Sequence, residues 1–292
     1  MYLENFTTKR SAFFAVFRRI GWLFAPSSTF PKGATADEGR GSIEGRDAVP
    51  GVRIWYVDHA ANSNLSNADA NLTKSDFTEF APVRHTATRQ RSLSVRAVLR
   101  QALSESVAGK VTPNAWCFGR TANAQPILLN SENNLKFSCS HTSKMSVIAV
   151  STVGDVGVDI ADASFDFASD WLNDVMSERE RNALEKLSVS KRAGAVSRLW
   201  TLKEAYVKML GTGIAEIADV AFDLGDDRLL PGRSKHRFLQ PVFRTWVVNN
   251  QGHRYSVALA SSRSVSTRAP LGCCLSEVSL GHSRDRFPAL AG

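Results

Sequence analysis

Residues 156–160 read VGVDI, and residues 199–208, about forty positions further along the chain, read LWTLKEAYVK. The first is a short apolar run, rich in β-branched residues, that delivers Asp159 near its end; the second spaces apolar and charged residues at helical intervals. VGVDI predicts a buried strand. The second run predicts a helix from about residue 193 to 210 that stops at Gly211 and Gly213. On that helix Trp200, Glu204 and Lys208 share a face at 3.6 residues per turn, with Lys203 beside it. A strand acid facing a helix acid set between two ammonium groups implies an α+β fold with a charged site where the two elements meet.

Working outward, VRIWYVD at 52–58 has strand character and marks the start of the ordered body. Residues 89–103 repeat apolar positions as an amphipathic helix does, with Arg91, Arg96 and Arg100 expected on its wetter side. PILL, LKFSCS and MSVIAVS follow as strands ahead of VGVDI. After Asp170 the period turns helical, and Ser177 with Glu180 has capping-box spacing. ADVAFDL (218–224), FRTWVV and RYSVALA read as strands. The order of elements gives two α+β halves. Residues 1–50 read as an extension and linker, 51–152 as a first lobe, 153–262 as a second lobe and 263–292 as a weakly ordered tail.

The composition narrows the class. With 292 residues, 43% of them hydrophobic, the chain can bury a substantial core, which excludes a fibrous or generally disordered protein. The formal charge of +8 is diffuse and lacks the basic runs of a nucleic-acid arm, so no nucleic-acid partner is expected and acidic protein faces are favoured. The four cysteines have neither zinc nor disulfide spacing, which suits a reducing compartment. The apolar stretch 13–24 is short and interrupted by Arg18 and Arg19, so it spans no membrane. Residues 9–24 suit an amphipathic surface helix, a docked helix or a disordered extension. A cytoplasmic location is expected.

Each charged residue singled out also has a plain structural reading. Glu204 and Lys208 form an ordinary i,i+4 pair, Asp159 suits a turn after a strand, and His141 suits a hydrogen-bonded structural role. Together they suit another task. If Asp159 faces Glu204, the two carboxylates offer a hard cation such as Mg²⁺ the oxygen ligands it prefers, with phosphate and water completing the shell. Lys203, Lys208 and His141 then neutralise phosphate oxygens, the equipment of phosphoryl-group transfer.

The pairing of VGVDI with LWTLKEAYVK resembles the signature of the 4′-phosphopantetheinyl transferases, specifically the two-lobed monomeric type that activates surfactin synthetase and related megasynthases. FSCSHT (137–142), MSERE (176–180) and the Arg-containing helix RSLSVRAVLR are similar to further segments of that family, so the resemblance runs from about residue 52 to 261. It implies two similar α+β lobes related by a pseudo-twofold axis, in a monomer. It also implies coenzyme A as donor, and a serine of an acyl or peptidyl carrier protein as acceptor, with adenosine 3′,5′-bisphosphate leaving. Carried over, the resemblance assigns Mg²⁺ to Asp159 and Glu204 with Asp162 as an additional ligand. Glu204 and Lys208 are catalytic; Ser140, His141, Lys203, Lys208 and Gln125 contact coenzyme A, and Arg91 and Arg84 are assigned to its 3′-phosphate, solvated helix charges being the rival reading.

Two positions depart from the pattern. Ala161 stands where surfactin-type members have a second acidic ligand, and Asp162, one residue on, points to the other side of a straight strand. Ala124-Gln125-Pro126 occupies the place of a Gly-Lys/Arg-Pro loop, so Gln125 brings no charge unless Arg120 compensates. These departures leave open a second reading, a carrier-binding homologue without catalysis.

Overall fold

The strand runs and helical periods assemble into two antiparallel-based sheets, each covered on its outer face by one long helix. The computed structural model describes residues 46–49, 51–60, 69–131, 135–164, 169–230, 241–262 and 278–279. The readings for residues 9–24 and for most of the tail beyond 262 lie outside these described residues.

In the first sheet, β1 (Arg46–Val49), β2 (Val52–Asp58), β5 (Lys136–His141) and β6 (Met145–Ser151) stand in the order β1-β2-β6-β5, every pair antiparallel. Strand β1 lies within the stretch expected to be linker, so the linker reading is too long at that end. All seven residues of β6 are buried because it is covered on both faces. Val147 and Ala149 join Val52 and Ile54 on the inner face, while Ile148 and Val150 join Trp55 and Val57 on the outer one. A two-stranded ribbon, β3 (Phe118–Arg120) with β4 (Pro126–Leu128), stands apart from the sheet.

The second sheet has the order β10-β8-β9-β7, from β7 (Val156–Asp162), β8 (Val242–Asn250), β9 (His253–Ser261) and β10 (Val278–Ser279). Its inner face, Val156, Val158, Ile160, Trp246, Val257 and Leu259, packs on the inner face of the first sheet. The edge strands β5 and β7 also meet, and Val158 N donates to Ser138 Oγ at 3.1 Å across this seam. The two α+β units therefore share one central core.

Of the helices, α1 (Lys74–Phe80) and α2 (Thr86–Ser106) serve the first unit, and α3 (Ser169–Val175), α4 (Glu178–Glu185) and α5 (Val189–Leu210) the second. Helix α2 lays Val98, Leu99, Ala102 and Leu103 on the outer face of the first sheet; α5 lays Leu202, Ala205, Tyr206 and Met209 against Ala258 and Ala260 of the second. Among the described residues no helix is long and apolar enough to cross a membrane.

Two expectations are corrected here. Arg96 and Arg100 are buried rather than wet, at 6% and 2% exposure. Asp76 on α1 accepts from both guanidinium groups at 2.9 Å, Glu79 takes a second nitrogen of Arg96, and Arg100 also donates to the carbonyls of Pro113 and Trp116. A buried charge is tolerated when it is paired and fully hydrogen-bonded, and these partners lie far away in sequence. Although burial opposes its ionisation, Arg100 and Thr73 hold the Asp76 carboxyl below its ordinary range. The second correction concerns ADVAFDL, which is a 3₁₀ turn (Ile214–Asp219) followed by a single bridge from Phe222 to Leu229. Its backbone pairs with the short return at Arg228 and Leu230, and two of its groups go to side chains: Val220 O accepts from Lys203, and Phe222 N donates to Glu180.

The approach of α5 to β7 is governed by Gly157. A Cβ at this position would fall inside contact distance of the Ala205 carbonyl and the Met209 amide, both backbone atoms that cannot rotate away. Gly157→Ala is expected to lower stability by about 1–3 kcal/mol, the range for overpacking a close-packed interior. An unchanged urea midpoint would show that the helix can slide away without loss.

Candidate active site

Strand β7 alternates its side chains, so Val156, Val158 and Ile160 enter the central core while Gly157, Asp159 and Ala161 face α5. Asp159 thereby meets the helix. Lys208 Nζ donates to Asp159 Oδ1 at 2.6 Å and lies 3.9 Å from Glu204 Oε2, one turn back on α5. From the other sheet, Ser140 Oγ donates to the same Asp159 Oδ1 at 2.5 Å. All three charged side chains are largely buried, at 6%, 13% and 14% exposure for Asp159, Lys208 and Glu204. Thus Ser140, Asp159, Glu204 and Lys208 come together as the sequence suggests, at the seam of the two sheets.

The electrostatics follow from burying two carboxylates around one ammonium. Burial pushes the Glu204 carboxyl up to about 7, against the pull of Lys208 and with the repulsion of Asp159. Burial also disfavours the Lys208 charge, but Asp159 and Glu204 outweigh it and raise its pKa above the ordinary lysine value. With both acids ionised the cluster is net negative and offers only carboxylate oxygens, a donor set that fits a hard divalent cation. Ala161 places a methyl group where a third acid would have faced the cluster. Among the described residues no group of three or more His, Cys, Asp or Glu side chains gathers to hold a metal, so water and phosphate oxygens must complete any shell.

Beyond the carboxylates stand Arg91 and two histidines kept neutral by burial. His141, at the end of β5, is pushed down to about 4 by the surrounding protein and then by Lys208 and Arg91. Arg91 donates to Ser143 O at 2.7 Å and to Thr88 Oγ1 at 3.1 Å, tying α2 to the β5–β6 turn. His59 was not singled out from the sequence. It directly follows β2, its Nε2 lies 2.9 Å from Ser146 Oγ, and Ser146 is the register partner of His141. Only the strand order β2-β6-β5 brings the two histidines to one end of the sheet.

Other assignments move. Lys203 is fully buried and points into the core: its Nζ lies 2.8 Å from Glu180 Oε2 and donates to the carbonyls of Val175 and Val220 at 2.8 and 2.5 Å. It therefore anchors the helix and does not reach the cluster. Glu180 completes the Ser177 capping box and this ion pair, so it belongs to the same anchor. Asp162 is corrected too, since β7 runs straight to it and its Oδ1 accepts from Ser164 N and Oγ at 2.9 and 2.6 Å. The amide of Gln125 donates to Lys208 O at 2.8 Å, so it serves the helix terminus rather than a phosphate. Arg120 does not replace it, being paired with Glu79 at 2.5 Å. Arg84 is exposed on the link between α1 and α2.

Burial holds His59 at about 4, with repulsion from Arg91 and His141 adding to the effect and Asp58 opposing it. Unfolded His59 regains an ordinary pKa near 6.5, so between that value and about 4 the unfolded chain binds the extra proton and stability falls with falling pH. The slope contributed by this group is at most about 1.4 kcal/mol per pH unit. Urea midpoints at pH 7 and pH 5 are expected to differ less in His59→Gln than in the parent. An equal difference in both would remove His59 from the linkage.

Comparison with known proteins follows the same geometry. Residues 155–260, which carry Asp159, Glu204 and Lys208, match the model of the 4′-phosphopantetheinyl transferase superfamily. The 4′-phosphopantetheinyl transferase HetI of Nostoc sp. is 26% identical over 178 residues, 59% of this chain and 74% of that protein. A putative 4′-phosphopantetheinyl transferase of Synechocystis sp. is 29% identical over 173 residues, 57% of this chain and 68% of its own. Among solved structures, the holo-[acyl-carrier-protein] synthase of Thermotoga maritima aligns with a TM-score of 0.30 at 18% identity, over 37% of this chain and 64% of that one. Residues 155–260 of the chain belong to the 4′-phosphopantetheinyl transferase superfamily.

Proposed function

We propose that this 4′-phosphopantetheinyl transferase moves the phosphopantetheine arm of coenzyme A onto a serine of an acyl or peptidyl carrier protein. The observation that carries this reading is the buried Asp159–Lys208–Glu204 cluster, with the Arg91 cation and the neutral imidazoles of His141 and His59 beside it. The two α+β units are read as lobes related by a pseudo-twofold axis. One chain contributes both sides of the site, so the enzyme acts as a cytoplasmic monomer.

In this reading Asp159 and Glu204 hold Mg²⁺, which when bound supplies neutralising charge to the pyrophosphate. Lys208, fixed by Asp159, adds a second positive charge beside the transferred phosphoryl group. His141 and Arg91 orient the donor from the rim. Glu204 takes the proton of the carrier serine, directly or through a water. The serine Oγ bonds to the β-phosphorus as the bond from that phosphorus to the bridging oxygen breaks. Adenosine 3′,5′-bisphosphate leaves with the bridging oxygen. The formal +8 charge speeds encounter with acidic carrier proteins.

Intact-mass measurement of apo carrier domains incubated with the protein, coenzyme A and Mg²⁺ tests the reading. The expected result is a gain of one phosphopantetheine arm that EDTA abolishes and added Mg²⁺ restores. Glu204→Gln is expected to reduce transfer by about 10³-fold, within the range for a general base, while leaving the urea midpoint near that of the parent. Saturable coenzyme A binding without transfer to any acyl or peptidyl carrier would instead favour the non-catalytic carrier-binding reading.

A further inference from the structure

Helix α5 ends in Lys208–Gly211, and its final carbonyls have no partners within the helix. Gly211 closes it in the left-handed conformation at φ 70, with its amide 3.3 Å from Lys208 O. Two further donors come from the first unit, at the tip of the β3–β4 ribbon. Gln125 Nε2 donates to Lys208 O at 2.8 Å, and Asn123 Nδ2 donates to Gly211 O at 2.9 Å, across separations of 83 and 88 residues.

The ribbon tip is shaped for this contact. Thr121 N donates to Gln125 O at 2.9 Å, and Gln125 N donates to Thr121 Oγ1 at 3.2 Å, closing the turn around Ala124. Ala124 holds φ 61, a left-handed conformation that an L side chain adopts at a cost of roughly 1–2 kcal/mol. Arg120 donates to Ala124 O and pairs with Glu79, which also holds Arg96, so the tip is braced from behind.

We propose that Gln125 is a positioning residue for Lys208. It grips the backbone carbonyl of the residue whose ammonium holds Asp159, and so keeps the last turn of α5 wound while the first unit stays docked. The proposal rests on the transferase reading for its effect on rate but not for its structural content. Lys208 lies in the final turn and Glu204 one turn further in, so loosening the terminus displaces the ammonium before the base. The other loop-tip amide, Asn123, supports the same terminus from the exposed side.

The test compares Gln125→Ala, Gln125→Lys and Gln125→Glu in the full chain by steady-state transfer and by amide hydrogen exchange. Gln125→Ala is expected to lower kcat about tenfold, as small misplacements at an active site do, with KM for coenzyme A within about twofold of the parent. Gln125→Lys keeps a donor and places a cation at the negative end of the helix, so it restores most of kcat; Gln125→Glu places an acceptor there and falls below the alanine variant. Exchange over residues 207–212 is expected to be about tenfold faster in Gln125→Ala, as expected when terminal turns lose their tether. Unchanged exchange overturns the proposal, as does a rise in KM for alanine and a fall for lysine at constant kcat, which would mark a phosphate contact. If the alanine variant does not fold, Asn123→Ala provides the same exchange measurement at Gly211, with the same two outcomes. Should the parent transfer no arm, the transferase reading fails, while the exchange result still decides whether the ribbon holds the helix.

Discussion

Helix α5 can lie on β7 only because residue 157 has no side chain. That single close approach sets the geometry of everything polar around it. It places Asp159, two residues on and on the same face, within reach of Lys208, and it puts the helix between the strand and the rest of the second core. The rotation of the helix about its own axis is then fixed from the opposite side, where Lys203 is locked to Glu180 and to two backbone carbonyls. Adjacent residues of one motif therefore do opposite things: Lys203 sets the helix and Glu204 faces Lys208.

Buried charge is used in two ways in this molecule. Arg96, Arg100 and Arg120 surround Asp76 and Glu79 in a network whose every carboxylate oxygen is paired, and Arg120 ties the first helix pair to the β3–β4 ribbon. The cluster of Asp159, Glu204 and Lys208 is not balanced in this way. Two acids share one ammonium, and burial raises the pKa of Glu204 against the pull of Lys208, with Asp159 adding to the rise. A saturated network resists change, whereas an unbalanced one takes up a proton or a cation with little rearrangement.

What could be read in the sequence was local. VRIWYVD and MSVIAVS carry their strand character in consecutive residues, the Ser177–Glu180 cap spans one turn, and the common face of Glu204 and Lys208 follows from helical spacing. The meeting of Asp159 with that face followed from the paired motifs. Features that depend on distant partners were not legible: the wet face expected for Arg96 and Arg100 ignored Asp76, and Lys203 looked chemical because Glu180 is 23 residues away. ADVAFDL has strand composition, yet those same two side chains claim its Val220 carbonyl and Phe222 amide. Gln125 invited comparison with a phosphate-binding residue because nothing nearby shows that the end of α5 lies against it.

The seam between β5 and β7 bears on how the protein is made. Strand β5 is synthesised before β7, and among the described residues β7 has its only ladder partner in β9, whose last residue is Ser261. Ser140 and Arg91 are thus synthesised long before Asp159 can be held in place by β9. Domains form in the order their segments emerge, and here the first unit must wait with an open sheet edge for the second. A nascent or truncated chain lacking β9 has every residue of the cluster in its sequence but no paired strand to present Asp159, so the cluster takes shape only once β9 has been added.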